Sequence, residues 1–489
     1  MRTKRRVLAV VLLLPLNLGV LAEGSKAPGR SVAGKLKPCH VPGVDEEVHC
    51  GRYEVYENRG ARKGRKIGLN IVVLPARGPK VAADPLVFLA GGGVAPATRY
   101  AGFLSEAYPN LRRQRDILLV DQRGTGGSNP LECDLTTDPA SAEYRDEGRF
   151  LAAVRRCRRE LEQKADLRYY TTPIAMDDLD EVRRWLGYPR FNLFGVSYGT
   201  TAAMVYLRQH PEHVRTVALQ GVIPLDVPMW LEAPRSSQQA LEQAFAACAR
   251  QPGCHGAFPE LENEFSSLLK RLAEKPVKVK VSNVETGQEV EVPIDDEILR
   301  GFVARVLYSA SRIHDLPMLV HLAHQGDYQP LAAKLAVKGE SGIPKGVYLS
   351  IVCSEVIPQF DPGALPAATA GTFMGGFRVG REVSACREWV RGWLPPGFWT
   401  PVKSDVPVLV LTGALDHLIP PRYGERVAQS LAHARHLVLP QRGHNDTDPC
   451  VNGMIEAFMI AGSLAGLDTN CLAKTEDLSF ALQRDELEK

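Results

Sequence analysis

The chain reads as an α/β fold with a largely parallel sheet, split by a mainly helical insertion. Three observations predict it. Short apolar runs alternate with helical stretches through the first half of the chain, the pattern of strand–helix–strand units. That alternation stops after about Asp226 and resumes with Val406-Pro407-Val408-Leu409-Val410-Leu411-Thr412. One apolar run, starting at Phe191-Asn192-Leu193-Phe194, turns through Gly195-Val196-Ser197-Tyr198-Gly199 into a helical stretch, Thr201–Leu207, leaving a serine on the corner.

Bulk properties narrow the class. A chain of 489 residues suits one large domain with an insertion, or two domains. A net charge of +3 makes no case for nucleic acid, and the clusters Arg112-Arg113 and Arg155–Arg159 read as solvated helix faces. Met1-Arg2-Thr3-Lys4-Arg5-Arg6, then an apolar run from Val7 to Ala22, has the form of an export signal cleaved near Val20-Leu21-Ala22. Pro15 and Asn17 interrupt the run, which falls short of the roughly 20 residues a membrane span needs. The expected location is periplasmic or extracellular, with no stable membrane association after cleavage. Ten cysteines fit an oxidising compartment. Pairing neighbours along the chain gives Cys39–Cys50, Cys133–Cys157, Cys248–Cys254, Cys353–Cys386 and Cys450–Cys471. No Cys-x-x-Cys pair or Cys/His cluster points to zinc.

Taken in order, residues 23–36 are polar, and Cys39 to Cys50 forms a small stapled loop. Ile67–Leu74 alternates as a strand. Pro85–Ala90 is a buried strand that runs into Gly91-Gly92-Gly93, and Ile117–Val120 is a third, ending at Asp121-Gln122-Arg123-Gly124-Thr125-Gly126-Gly127-Ser128. A helix follows over about Gly148–Lys164. Another opens with Thr172 as N-cap, Pro173 at its first position and acids in its first turn, and ends near Gly187. The serine strand and Val214–Gln220 follow. Helices are expected over Ser236–Arg250, Glu260–Ala273, Asp295–Ser309, Leu316–Gln325 and Arg381–Trp393, with a short β piece near Val277–Pro293. Strand–helix alternation then returns, with His436–Pro440 as the last strand.

The Gly-x-Ser-x-Gly spacing has a steric cause. A strand that turns at once into a helix exposes the Ser197 hydroxyl on a strained corner, and side chains at Gly195 and Gly199 would collide with neighbouring elements. A serine hydroxyl needs a base, and the base an orienting acid. On this architecture the order is Ser, then Asp or Glu, then His. Asp416 leaves the Val406–Thr412 strand and His444 leaves the strand that ends at Pro440, so both arrive where such partners are needed. His433, His436 and Asp405 precede their strands. His417 adjoins Asp416, and adjacent side chains do not readily face each other. Asp446 and Asp448 read as loop acids. The oxyanion of a tetrahedral intermediate needs two N–H donors: Tyr198, after the serine, and the glycine loop at Gly92, where no Cβ blocks close approach. The triglycine lacks the Lys-[Ser/Thr] of a phosphate loop.

Several stretches together resemble the prolyl and tripeptidyl aminopeptidase branch of the α/β-hydrolases: Leu86–Gly93, Asp121–Ser128, Asp177–Gly199 with its Gly-Val-Ser-Tyr-Gly-Thr, the late Asp416 and His444, and at the front Cys39-His40-Val41-Pro42-Gly43, Cys50-Gly51 and Ile71–Ala76. That family carries Gly-Gly-Pro-Gly in the oxyanion loop, where this chain has Gly91-Gly92-Gly93-Val94. The resemblance implies an α/β-hydrolase fold with a mainly helical cap between the nucleophile-bearing half and the Asp/His-bearing half. The expected division is a signal over 1–22, core over 23–225, cap over 226–400 and core over 401–489. The implied activity is an exported serine hydrolase that cleaves short peptides from the N-terminus through an acyl-enzyme, without metal or organic cofactor. A carboxylesterase or acyltransferase on the same triad, and a catalytically inactive binding protein, stand as alternatives; three intact triad residues speak against the last. An N-terminal exopeptidase must meet an ammonium group, and a carboxylate is its natural partner. Glu355, after Leu349–Ser354, is the candidate, since related enzymes carry an acid after such a Cys; an ordinary solvated or helix-capping Glu is the alternative. Arg123 is expected to brace the floor of the site.

Overall fold

A computed structural model of the chain describes residues 34–92, 94–283, 287–337, 343–444, 446–474 and 477–487. The export signal expected over 1–22, and Gly93 of the triglycine, lie outside the described residues.

Nine strands share one sheet in the order β1-β2-β3-β5-β4-β6-β7-β10-β11. They are β1 (Lys37–Cys39), β2 (Val48–Tyr56), β3 (Lys66–Leu74), β4 (Leu86–Leu89), β5 (Ile117–Val120), β6 (Phe191–Val196), β7 (Val214–Gln220), β10 (Val408–Gly413) and β11 (Ala434–Leu439). The first three join antiparallel and the rest run parallel. β4, β5 and β10 are buried along their whole length, which explains their unbroken apolar sequences: helices cover both faces of a parallel sheet. The stapled loop expected from Cys39 to Cys50 is instead a hairpin, with Cys39 opposite Val48 and Lys37 opposite Cys50. The nine-residue β2 gave little signal because His49 is only half-buried and Arg52 and Glu54 occupy exposed positions.

Between β7 and β10 the described chain adds no strand to this sheet. It forms helices Met229–Arg250, Leu261–Glu274, Asp296–Val306, Leu316–His324, Lys345–Ile351 and Phe377–Glu388, and a separate antiparallel pair, β8 (Val277–Ser282) with β9 (Glu289–Ile294). Leu268, Leu272, Val303, Leu307, Leu316 and Ala323 form a core of their own here, so the segment holds together by its own apolar packing as well as by the sheet. No helix was expected over Lys345–Ile351, which continues as a π turn over Val352–Val356. It is buried almost all round, Ser350 included, so no apolar stripe of helical period stands out.

All five expected cysteine pairs are disulfides, with Cα–Cα separations of 5.0–5.9 Å. Cys353–Cys386 ties the π turn to the Phe377–Glu388 helix. Among the described residues no helix is long and apolar enough to cross a membrane. One helix start differs from expectation. Thr171, not Thr172, is the N-cap of the helix Thr172–Leu186; it makes no side-chain cap bond, and no acid lies in the first turn. The role is filled from elsewhere in the fold, by Glu355. The helix does end at Gly187, whose φ of 84° is the left-handed cap a glycine supplies.

Candidate active site

Ser197 joins β6 to the helix Tyr198–Gln209 with φ 54° and ψ −122°. This is a strained conformation for a residue with a side chain, held because the surroundings allow no other. Both flanking glycines are required. A Cβ on Gly195 would stand 2.4 Å from the Gly199 carbonyl oxygen, and one on Gly199 would stand 1.9 Å from the Leu89 oxygen of β4. The corner is thus pressed against the neighbouring strand.

The structure brings Ser197, His444 and Asp416 into one line. His444 Nε2 lies 2.9 Å from Ser197 Oγ, and its Nδ1 lies 2.7 Å from Asp416 Oδ2. Asp416 follows β10 and His444 follows β11, so adjacent parallel strands deliver the acid and the base to the same edge. Asp416 Oδ1 accepts the backbone N–H groups of Leu418 and Ile419 at 3.0 and 2.8 Å. That leaves Oδ2 aimed at the imidazole. His444 and Asp416 are almost fully buried, so water competes little for these bonds. Gly221 makes room for the ring, since a Cβ there would meet His444 Cε1 at 3.1 Å.

A residue not expected at the site holds the histidine loop. Tyr308, just past the Asp296–Val306 helix, accepts the His444 N–H through its carbonyl at 2.8 Å. Its ring packs edge-on against His444 and His417, with centroids 5.4 and 4.5 Å apart. Burial pushes the pKa of His417 down to about 3, so this neighbour stays neutral. Asp446, expected as a loop acid, accepts from the Gly443 and Ala310 N–H groups, joining the histidine loop to the inserted segment. Nothing in the spacing around Tyr308 marks it, because a tyrosine after a helix is ordinary.

The glycine loop lies against the serine. A Cβ on Gly91 would sit 3.0 Å from Ser197 Cβ. Gly92 follows with φ 67°. Val94 also has positive φ, 84°, a costly state for a β-branched residue, at the position where the related family carries glycine. Tyr198 opens its helix, so its N–H is among those with no partner inside the helix.

Below the site, Asp121 organises the Asp121–Ser128 loop by accepting from the N–H groups of Thr98 and Gly127 and from Asn70. Arg123 is buried and donates twice to Asp178, at 2.6 and 2.9 Å, and to the carbonyls of Glu57 and Tyr169. It acts as the expected brace between this loop and the Thr172–Leu186 helix.

Glu355 is 3 % exposed, so it is not a surface acid. Its Oε1 accepts the Thr172 N–H at 2.6 Å and its Oε2 the Thr172 hydroxyl at 2.7 Å. It therefore caps the Thr172–Leu186 helix from a distant element. The Thr172 hydroxyl in turn meets the Tyr198 phenol at 2.7 Å. Glu355 is thus two hydrogen bonds from the residue that follows the serine. Burial raises its pKa to about 7, against the opposing pull of the two Thr172 bonds. A carboxylate has about four acceptor positions, so capping uses only part of its capacity.

Residues 84–277 match the family described as alpha/beta hydrolase fold, and residues 372–471 the family described as TAP-like protein. The tripeptidyl aminopeptidase of Streptomyces lividans is 23 % identical over 474 residues, spanning 88 % of this chain and 84 % of that one. The serine protease Hip1 of Mycobacterium tuberculosis is 25 % identical over 468 residues, spanning 86 % and 87 %. Among solved structures, the proline iminopeptidase of Mycobacterium smegmatis overlaps 85 % of this chain and 99 % of its own, at a TM-score of 0.39 and 14 % identity.

Proposed function

Because the chain is a serine hydrolase of the α/β-hydrolase fold and of the tripeptidyl aminopeptidase type, we propose that it removes short peptides from free N-termini by acyl transfer through Ser197, His444 and Asp416. The observation that carries the reading is the 2.9 Å and 2.7 Å relay from Ser197 through His444 to Asp416. Ser197 Oγ attacks the scissile carbonyl carbon as His444 Nε2 takes its proton, and Asp416 stabilises the imidazolium. The oxyanion is received by the backbone N–H of Tyr198 and by the glycine loop at Gly92. As the C–N bond breaks, His444 returns the proton to the leaving amine. The remaining acyl-enzyme is cleared by a water that His444 deprotonates.

The substrate's ammonium is taken by Glu355. Support comes from its burial and its route to Tyr198 through Thr172. Export is part of the same proposal, since five disulfides suit an oxidising compartment.

A panel of peptide anilides with free and acetylated amines, run beside simple acyl esters, tests this reading. Free-amine peptides of two to four residues should be turned over roughly tenfold or more better than their acetylated twins, the value of one charge-assisted hydrogen bond. Equal turnover of both forms would remove the exopeptidase reading. Turnover of esters alone would make the protein an esterase.

A further inference from the structure

The loop that carries His444 is held by the inserted segment as well as by the sheet. Tyr308, Ser309 and Ala310 lie just past the Asp296–Val306 helix and run against Gly443 and His444. The approach is close. A Cβ on Gly443 would stand 2.4 Å from the Tyr308 carbonyl oxygen and 2.9 Å from Ser309 Cα, so only glycine fits there. Hydrogen bonds close the contact. The His444 N–H donates to the Tyr308 carbonyl at 2.8 Å. The Ala310 N–H donates to Asp446 Oδ2 at 2.9 Å, and the Ser309 hydroxyl to Asp446 Oδ1 at 2.5 Å.

Asp446 is where these contacts meet. Its Oδ2 also accepts the Gly443 N–H at 2.7 Å. One carboxylate oxygen thus holds the residue before His444 and the start of the Ala310–Ile313 turn together. The Asp446 backbone carbonyl accepts from Gln220 Nε2 at 3.1 Å, and the Gln220 carbonyl accepts the Ser197 N–H at 2.9 Å. Asp446 therefore joins the inserted segment, the histidine loop and the strand end beside the serine. The imidazole has to meet two partners at once, Ser197 Oγ at 2.9 Å and Asp416 Oδ2 at 2.7 Å. Those two bonds orient the ring; they do not fix the loop that carries it. A misplacement of about 1 Å at a catalytic group costs on the order of 10²-fold in rate, so the anchoring of this loop matters to the chemistry.

We infer that Asp446 is a positioning residue for His444, and that through it Ser309 and Ala310 of the inserted segment set the place of the base. The inference rests on the triad reading above and goes beyond it: the triad is assembled only when the inserted segment is seated on the histidine loop. The charge of Asp446 is not the requirement. Its Oδ2 takes both backbone N–H groups, and its Oδ1 meets a hydroxyl that can donate or accept. An asparagine reproduces these contacts, with its carbonyl oxygen in place of Oδ2 and its amide facing Ser309. An alanine reproduces none of them.

Phosphonylation of Ser197 by a small neutral fluorophosphonate tests this. Ser197 Oγ displaces fluoride as His444 takes its proton, so the rate reads the base and needs no peptide. Asp446→Ala, held at a temperature where circular dichroism shows it folded, should react roughly 10- to 100-fold more slowly than the wild type. Asp446→Asn should recover most of the rate. On a peptide anilide the loss should fall on kcat, with KM changed by less than about threefold. The imidazole N–H bonded to Asp416, followed by proton NMR and assigned by its absence in His444→Gln, should be present in the wild type and Asp446→Asn and broadened or lost in Asp446→Ala. A carboxylate that only stabilised the fold would lower the unfolding midpoint and leave rate and resonance unchanged; that result would overturn the assignment. Ser309→Ala/Ala310→Pro keeps the test open if Asp446→Ala does not fold. It removes both donors of the inserted segment, and proline suits the first position of a helical turn. Slowing of roughly tenfold or more supports the assignment. A wild-type rate would overturn the part given to the inserted segment. If the wild type itself is not phosphonylated, the triad reading falls and this assignment with it.

Discussion

Glu355 is where one residue carries two duties. It closes the start of a helix through Thr172, and it is proposed to receive the substrate's ammonium. Its pKa of about 7 lies above the roughly 4.3 of an unfolded glutamate, so the folded state binds the proton more tightly. Its contribution to stability is therefore fully present below about pH 4.3 and is lost as pH rises to about 7, on the order of 3–4 kcal/mol in all. Glu355→Gln should lack this slope, gaining on the wild type in denaturant unfolding between those limits; identical slopes would mean that the group is not buried as described. In activity, the same variant should lose free-amine peptides roughly tenfold or more and retain a small neutral ester. For the wild type, preference for free over acetylated amines should rise with pH through about 7, as the carboxylate forms. It should fall again above about 8, where the substrate amine loses its proton. At this scale the sequence was readable where chain order constrains chemistry: Ser197, Asp416 and His444 each follow a strand in a fixed order. It was silent on Tyr308. A tyrosine after a helix carries no spacing that says which surface it faces.

The elements show what local pattern can and cannot specify. β4, β5 and β10 were legible because strands buried on both faces need nearly unbroken apolar runs. β2 was not, because its exposed positions admit charged residues. The start of the Thr172–Leu186 helix was misassigned by one residue because its cap comes from Glu355, far along the chain, and local cap rules cannot see a distant acceptor. Arg123, by contrast, was read as a brace from its loop alone, and its partners on that helix and on β2 make it one. Arg123→Met leaves Asp178 buried with Arg59 still 2.9 Å away. The expected cost is about 3 kcal/mol, the low end for breaking a buried pair, seen as a lower denaturation midpoint. Because Arg123 does not touch the triad, kcat of the folded variant should stay within about threefold of wild type. An unchanged midpoint would show that the loop needs no brace.

For the whole molecule, alternation of strand and helix was enough to predict the sheet and the interruption in it. The mutual placement of inserted helices was not legible, since it depends on side-chain packing between segments distant in sequence, such as Tyr308 on His444. The proposed catalytic line is itself a property of the whole fold: the serine comes from before the inserted segment, the acid and the base from after it, and only the assembled sheet joins them. Turnover of a free-amine peptide anilide by Ser197→Ala tests that claim most directly. The account predicts a loss of about 10⁶ in kcat, the size seen when a triad nucleophile is removed, with the thermal unfolding midpoint unchanged. Near-normal turnover by a folded Ser197→Ala protein would contradict it.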